Sequence, residues 1–144
     1  MIQRIQTLWL LLVVALAALS FKFSFYVGTW MNNGVQHPQV NLNGHNPSIP
    51  VFVTTIVVLV IALISIFSYK NRKQQMLLTV VNLLLSLGLI FLYHLEVHNN
   101  FLSAGGTMAL TSVFVFAIPV ALIMAMRGIR RDIKLLRSAD RLRD

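Results

Sequence analysis

The feature that most restricts this sequence is a set of four long apolar runs separated by short polar segments. The runs cover residues 5–27, 49–67, 76–93 and 108–126. A helix needs about 20 apolar residues to cross the hydrocarbon core of a bilayer, and each run is close to that length. Backbone groups in lipid must bond internally, so each run is predicted to be a helix rather than a strand. We therefore predict an all-α integral membrane protein, a four-transmembrane-helix bundle with residues 1–144 as a single domain.

Composition supports lipid as the surrounding solvent and argues against an enzyme. Hydrophobic residues make up 57% of the chain and charged residues 11%, whereas about a quarter of the residues in a soluble domain are charged. The absence of cysteine excludes disulfides and thiolate metal ligands. No acidic residue lies within an apolar run, and no phosphate loop or serine–histidine pair has a readable spacing. We expect no catalytic residue and no cofactor.

The placement of positive charge predicts the orientation of the bundle. The net charge is +8, and all basic residues except Lys22 lie before the first run, in residues 70–73 or after the fourth run. Residues 28–47 and 96–107 carry no Lys or Arg. Because cytoplasmic loops are rich in Lys and Arg, both termini are predicted to be cytoplasmic. The strongly basic segment 127–144 is predicted to continue the fourth helix into the cytoplasm, with a possible hinge at Gly128.

Small and polar residues in the third and fourth runs predict helix packing. Ala117, Ala121 and Ala125 recur every four residues, and such a stripe lets another helix approach closely. That helix could belong to the same chain or to a partner subunit. Asn82 and Ser86 lie one turn apart in the third run, and polar groups in lipid need partners, so their face should point into the bundle.

Two histidines at the end of the third run form a weak candidate metal site. His94 and His98 have the i, i+4 spacing that places two ligands on one helix face. The zinc-protease motif has the same spacing but puts Glu directly after the first His, and here that position is Leu95. The alternative is a pair of interfacial histidines without metal, which we favour, so no metal is predicted.

The basic residues at the two ends of the chain are the candidate docking surface. On a helical projection those of the last segment gather on one face, opposite leucines and isoleucines that Asp132 and Asp140 interrupt. Such a face suits anionic lipid headgroups or an acidic protein, and it lacks the aromatic residues that stack on nucleic-acid bases. The candidate residues are Arg4, Arg127, Arg130, Arg131, Lys134, Arg137, Arg141 and Arg143.

Both ends of the chain also carry the marks of a known family. Residues 1–8 read MIQRIQTL, residues 129–132 read IRRD, and residues 136–143 read LRSADRLR. These segments resemble the ends of a bacterial family catalogued as a domain of unknown function (number 4293), and the resemblance extends over the whole chain. It implies a four-span fold in a bacterial inner membrane and brings no activity. It also directs attention to residues 3–6 and 132–143, which should lie near each other.

The resulting hypothesis is a non-enzymatic accessory or scaffold subunit of the bacterial inner membrane. Its basic cytoplasmic face would bind membrane lipids, a membrane or cytoplasmic protein, or a second copy of the chain, and we do not expect nucleic acid to bind. Two alternatives remain, a small lipid- or solute-binding transport protein and a metal-binding protein of the outer face.

Overall fold

Four long helices dominate the computed structural model. The model describes residues 2–45, 48–102 and 105–143. It describes all of their side chains except those of residues 2–4, 140, 142 and 143. The helices are α1 (Ile2–Lys22), α2 (Ile49–Phe67), α3 (Arg72–Asn100) and α4 (Val113–Arg143). Short 3₁₀ turns follow α2 at Ser68–Lys70 and precede α4 at Leu110–Ser112. All four helices are long and apolar enough to cross a membrane, which confirms that part of the prediction.

The helices form a closed ring in chain order. Each helix packs against its neighbours in the sequence, and α4 returns to pack against α1. Successive helices are antiparallel. The end of α1 lies beside the start of α2, where Phe21 contacts Phe52, and the end of α2 lies beside the start of α3, where Gln75 bonds to Ser65. One end of the ring therefore contains the start of α1, the α2–α3 connection and the last third of α4, and we call it the basic end. The opposite end carries a small sheet, and we call it the sheet end.

The bundle has an apolar exterior and a partly polar interior. Leu84, Leu87 and Phe91 on α3 are at least half exposed, whereas the buried face of the same helix includes Asn82 and Ser86. In water this arrangement would be unfavourable, but lipid tails are as apolar as the leucines that face them. The helix faces are thus those expected of a protein surrounded by lipid. The interior apolar contacts come mainly from α1, α2 and α4, through Leu10, Val13, Ala17, Val58, Ala62, Ile118, Ala121, Leu122 and Ala125.

A three-stranded antiparallel sheet covers the sheet end. Its strands are β1 (Tyr26–Asn32), β2 (Val35–Leu42) and β3 (Thr107–Met108), in the order β2-β1-β3. Asn33 and Gly34 join β1 to β2 with φ angles of 49° and 81°. Positive φ angles at two successive residues are typical of the two-residue turn of a β-hairpin. Asn-Gly is the sequence that this turn prefers.

The sheet corrects the prediction of an all-α fold and of a first span at residues 5–27. Helix α1 ends at Lys22, because its 21 residues already extend about 31 Å, the thickness of a hydrocarbon core. Among the aromatic residues that follow, Phe25 is buried in a second cluster, and Tyr26 and Trp30 pack against it. Phe25 is 3% exposed, and its ring stacks on that of Tyr93 with the centroids 4.3 Å apart.

The third and fourth spans also differ from their predicted limits. Helix α3 covers Arg72–Asn100 rather than residues 76–93, and the Asn71 side chain caps it by accepting a hydrogen bond from the Gln74 N–H. Helix α4 begins at Val113 rather than at residue 108, because Thr107 and Met108 pair with β1. It then continues to Arg143 without interruption.

Replacing Phe25 by alanine tests the role of the aromatic cluster. Loss of a buried aromatic ring leaves a cavity, so we expect Phe25→Ala to lower the free energy of unfolding by about 3 kcal/mol. Unfolding followed by circular dichroism in mild detergent measures this. Phe23→Ala is the control, because Phe23 is 40% exposed and its loss should matter less. Equal effects of the two substitutions would contradict the assignment of Phe25 to a core.

Candidate docking site at the basic end

The basic residues of α4 lie on its exposed side. Arg127, Arg130, Arg131, Lys134 and Arg137 are all exposed, and so is Arg141 in the last turn. The remaining two candidates, at positions 4 and 143, lie in α1 and α4 but outside the described side chains. The structure therefore gathers the described members of the predicted docking surface along one helix at one end of the bundle.

A buried carboxylate ties three helices together beneath these residues. Asp132 on α4 is 5% exposed and accepts hydrogen bonds from the Gln6 side chain of α1 and the Arg72 guanidinium of α3. Arg72 also forms an ion pair with it. The helical projection suggested that Asp132 interrupts an apolar surface. In the structure it points into the bundle instead. We call Gln6, Arg72 and Asp132 the polar lock.

Arg72 was not among the predicted site residues. Gln6 belongs to residues 3–6, which the family resemblance led us to expect near residues 132–143, and it does bond to Asp132. A signal for the lock was present in the sequence, since a carboxylate on the apolar face of a helix needs a buried partner. The identity of that partner depends on which helices are neighbours, and helix order was not predicted.

Gly128 is a point of close helix approach rather than a hinge. Helix α4 is continuous through it, and a Cβ atom at this position would lie 2.7 Å from Gln6 Cγ. Gln6 is held by Asp132, so it has little freedom to move aside. The missing side chain of Gly128 thereby allows α1 and α4 to meet just above the polar lock.

A groove of about 430 Å³ opens on the surface between α1 and α4 at this level. Its apolar lining consists of Ile5 and Trp9 of α1 and Met124 of α4. The rest of the lining is Arg127, Gly128, Arg130 and Arg131, and we call these residues its rim. We call this the arginine groove. It brings three of the predicted docking residues together with aromatic and aliphatic side chains of α1 that the sequence did not associate with them.

Beyond the polar lock, α4 extends further than the other helices of the bundle. Helix α1 starts one turn before Gln6, so α4 has α1 beside it for only about one further turn past Asp132. Leu135 and Leu136 are each 52% exposed. We call residues 134–143 the projecting end. It is amphipathic, with leucines beside Lys134, Arg137 and Arg141. No other described element packs against it.

The residues predicted to serve packing lie inside the bundle. Ala121 and Ala125 are at most 2% exposed and belong to the core shared with α1 and α2, and Ala117 packs against the same core. The small-residue stripe therefore contacts helices of the same chain. Ser86 donates to the Leu83 carbonyl oxygen at 2.8 Å.

Asn82 is the most isolated polar group of the interior. It is fully buried, and neither its amide nitrogen nor its amide oxygen has a hydrogen-bond partner in the described part of the chain. Its face does point into the bundle as predicted, but the side chain forms no hydrogen bond to another helix in the described part of the chain. Along the same face, Gln75 does bridge helices, because it donates to the Ser65 carbonyl oxygen of α2 at 3.0 Å.

The two candidate metal ligands lie together at the sheet end. The ring centroids of His94 and His98 are 6.5 Å apart. Within residues 2–45, 48–102 and 105–143, no group of three or more His, Cys, Asp or Glu side chains could hold a metal ion. Glu96 points elsewhere and accepts a hydrogen bond from Asn100 at 2.7 Å. The histidine pair could therefore supply two ligands and no more from the described chain.

Comparison with known proteins identifies one family. A family-wide sequence model described as Domain of unknown function (DUF4293) matches residues 2–142, which confirms the resemblance seen at the two ends. No curated protein and no solved structure gave a match. The match covers the polar lock, the arginine groove and almost all of the projecting end.

Removing the carboxylate of the polar lock should destabilise the bundle. Asp132→Ala leaves the Arg72 guanidinium without its partner, and we expect the free energy of unfolding to fall by about 3 kcal/mol. Denaturant unfolding in mild detergent, followed by circular dichroism, measures the loss.

The matched control removes both charges at once. A chain with Arg72→Met and Asp132→Leu has no unpaired charge, so it should recover most of the lost stability. If Asp132→Ala unfolds like the natural chain, the lock contributes nothing to stability and the interpretation is wrong.

Proposed function

The chain belongs to the family described as Domain of unknown function (DUF4293), and we propose that it serves in a bacterial inner membrane as a non-enzymatic accessory or scaffold subunit. The proposal assigns its docking activity to the projecting end of α4. The observation that carries it is the exposure of Leu135 and Leu136, each 52%, on a helix that continues beyond its neighbours. Exposed leucines on a basic helix are costly in water and favour a binding partner.

Helix length supports docking of a protein rather than binding along the membrane surface. Helix α4 has 31 residues and is about 46 Å long, whereas a hydrocarbon core is about 30 Å thick. Since the helix is continuous, its last turns leave the bilayer in the direction of the span. An amphipathic helix that binds the membrane surface instead lies in the interfacial plane. The projecting end is thus presented to the aqueous phase.

The charge of this surface defines the chemistry of the partner. Lys134, Arg137 and Arg141 are exposed beside the leucines, and the described side chains form no ion pair with them. A protein with acidic residues around an apolar groove would match both components. The basic residues would speed association and fix the orientation, and burial of the leucines would supply affinity.

The interior supports a role without catalysis. The buried polar groups of α3 are amide and hydroxyl groups, among them Gln75, Thr79, Asn82 and Ser86. The one buried carboxylate among the described side chains, Asp132, is already held by Arg72 and Gln6. An acid or base with both hydrogen-bond partners fixed in the structure is poorly placed for proton transfer.

Orientation can be tested because the chain has no cysteine of its own. Single cysteines at Ser138→Cys and Gln36→Cys place reporters at the basic end and on the sheet hairpin, both at exposed positions. In intact cells with a permeable outer membrane, a membrane-impermeant maleimide should label only Gln36→Cys. Ser138→Cys should react only after the inner membrane is opened. The reverse pattern would place the termini outside and remove the basis for a cytoplasmic partner.

The docking proposal predicts a protein partner that depends on the projecting end. The tagged chain, expressed at native level and extracted in mild detergent, should co-purify a protein in stoichiometric amount. A variant with Leu135→Ser, Leu136→Ser and Arg137→Gln should lose at least nine tenths of it, because both the apolar and the charged contacts are removed. Quantitative mass spectrometry of the eluates measures this.

The control removes charge elsewhere at the same end of the bundle. Lys70→Gln with Lys73→Gln changes two exposed residues next to α3 and should retain the partner. Equal loss in both variants would indicate nonspecific electrostatic capture. A chain that purifies alone would refute docking at the projecting end.

A further inference from the structure

We propose that the arginine groove binds one anionic phospholipid from the leaflet at the basic end. This site goes beyond the docking function, because the groove lies between α1 and α4 whereas the projecting end lies past them. It rests on the membrane placement proposed above but not on the existence of a protein partner. The ligand class follows from the order of the lining residues, the unpaired charge and the rigidity of the walls.

The lining residues change from apolar to charged along the membrane normal. Trp9 is one turn deeper in the bundle than Ile5, which is about 6 Å. Met124 is likewise about 4.5 Å deeper than Arg127, because α4 runs in the opposite direction. The deep part of the groove is therefore aromatic and aliphatic, and the part near the basic end carries the arginines. A phospholipid has the same order, with acyl chains deep and the phosphate at the interface.

The three guanidinium groups at the rim form no ion pair with any described side chain. Among the described side chains the ion pair is that of Arg72 with Asp132, and Asp132 faces inward. Arg127 instead donates to the sulfur of Met124 at 3.9 Å, and both residues line the groove. Arginine binds phosphate oxygens through two parallel N–H groups and is less strongly hydrated than lysine. The rim is therefore suited to a phosphodiester.

The walls of the groove are fixed before any lipid arrives. Gln6 and Asp132 hold α1 to α4 immediately beside the groove, and the Gln6 side chain packs against Gly128, where a Cβ atom would not fit. A site whose backbone is already ordered loses less entropy on binding than a flexible basic tail. This separates a stoichiometric lipid from the diffuse attraction that any basic helix exerts on an anionic surface.

A second groove on the same protein has an uncharged lining and serves as a comparison for the arginine groove. It opens at the sheet end, measures about 390 Å³ and is lined by aromatic and aliphatic residues with His94 as the one imidazole. It contains no Lys or Arg and so has no cation for a phosphate. Phe91, which is 60% exposed in that groove, provides a position for a control substitution.

Tryptophan fluorescence tests the site without altering the arginines. The chain has two tryptophans, and Trp30→Phe leaves Trp9 in the groove as the only reporter. The full-length variant is placed in vesicles of nine parts phosphatidylcholine to one part phosphatidylglycerol, with bromine on the acyl chains of one lipid at a time. Random mixing gives quenching in proportion to mole fraction. We expect brominated phosphatidylglycerol to quench Trp9 at least threefold more than its mole fraction predicts.

Variants then assign the enrichment to the groove. Replacing Arg127, Arg130 and Arg131 by glutamine should return quenching to the random level. Replacing Lys134, Arg137 and Arg141 by glutamine removes the same charge from the projecting end and should leave the enrichment within twofold. Phe91→Ala, in the uncharged groove, should likewise leave it unchanged. Circular dichroism checks that each variant is folded. If the glutamine variant does not fold, the triple arginine-to-lysine variant replaces it and should also lower the enrichment, because lysine cannot bind a phosphate through two parallel N–H groups.

Two outcomes would overturn the proposal, and a third would change the ligand. Quenching at the random level in the Trp30→Phe chain, or equal loss from the two triple-glutamine variants, would show diffuse attraction without a site. If 10 mM inorganic phosphate removes the enrichment, the groove is an anion site that does not require a lipid tail, and the phospholipid assignment is wrong. Failure here leaves partner capture by the projecting end untouched, and loss of the partner with the enrichment retained would refute only the docking function.

Discussion

The satisfaction of backbone hydrogen bonds in an apolar solvent is the constraint on which this structure depends. Each segment that crosses the hydrocarbon must bond its own peptide groups, so it must be helical and about 20 residues long. Lipid provides no hydrophobic drive for the helices to associate, and contact must come from small residues and internal polar bonds. In this chain these contacts are the buried Ala121 and Ala125, the hydrogen bond from Gln75 to Ser65, and the polar lock.

The sequence was sufficient to predict what depends on local composition. Four apolar runs predicted four long helices, and Asn33-Gly34 has the sequence that the hairpin turn between β1 and β2 prefers. The pairing of Tyr26 with Met108 could not be predicted, because it joins residues far apart in the chain and β3 has only two residues. The same reason applies to the docking surface. Its arginines were visible in the sequence, but the groove they form with Trp9 depends on α4 packing against α1.

Asp132 shows how one buried contact organises two surfaces of different chemistry. By drawing Gln6 and Arg72 onto α4 it fixes the helix that carries every described arginine of the groove and of the projecting end. The arginines themselves stay exposed and need no internal partner. The contacts that stabilise the helix and the residues proposed to bind ligands therefore lie on opposite faces of it, and substitutions can separate them. Under the proposed membrane placement the groove faces lipid and the projecting end faces water, so the two proposed ligands would not compete.

The closure of the ring between α1 and α4 has a consequence for how the protein is made. Domains are synthesised from the N-terminus, so α1, α2 and α3 enter the membrane before α4 exists. Until then Gln6 and Arg72 lack Asp132, and the polar interior of α3 lacks the helix that covers one side of it. A chain that ends before α4 therefore lacks the contacts that close the ring and bury these groups. The four-helix bundle is thus completed only when its last helix has been made.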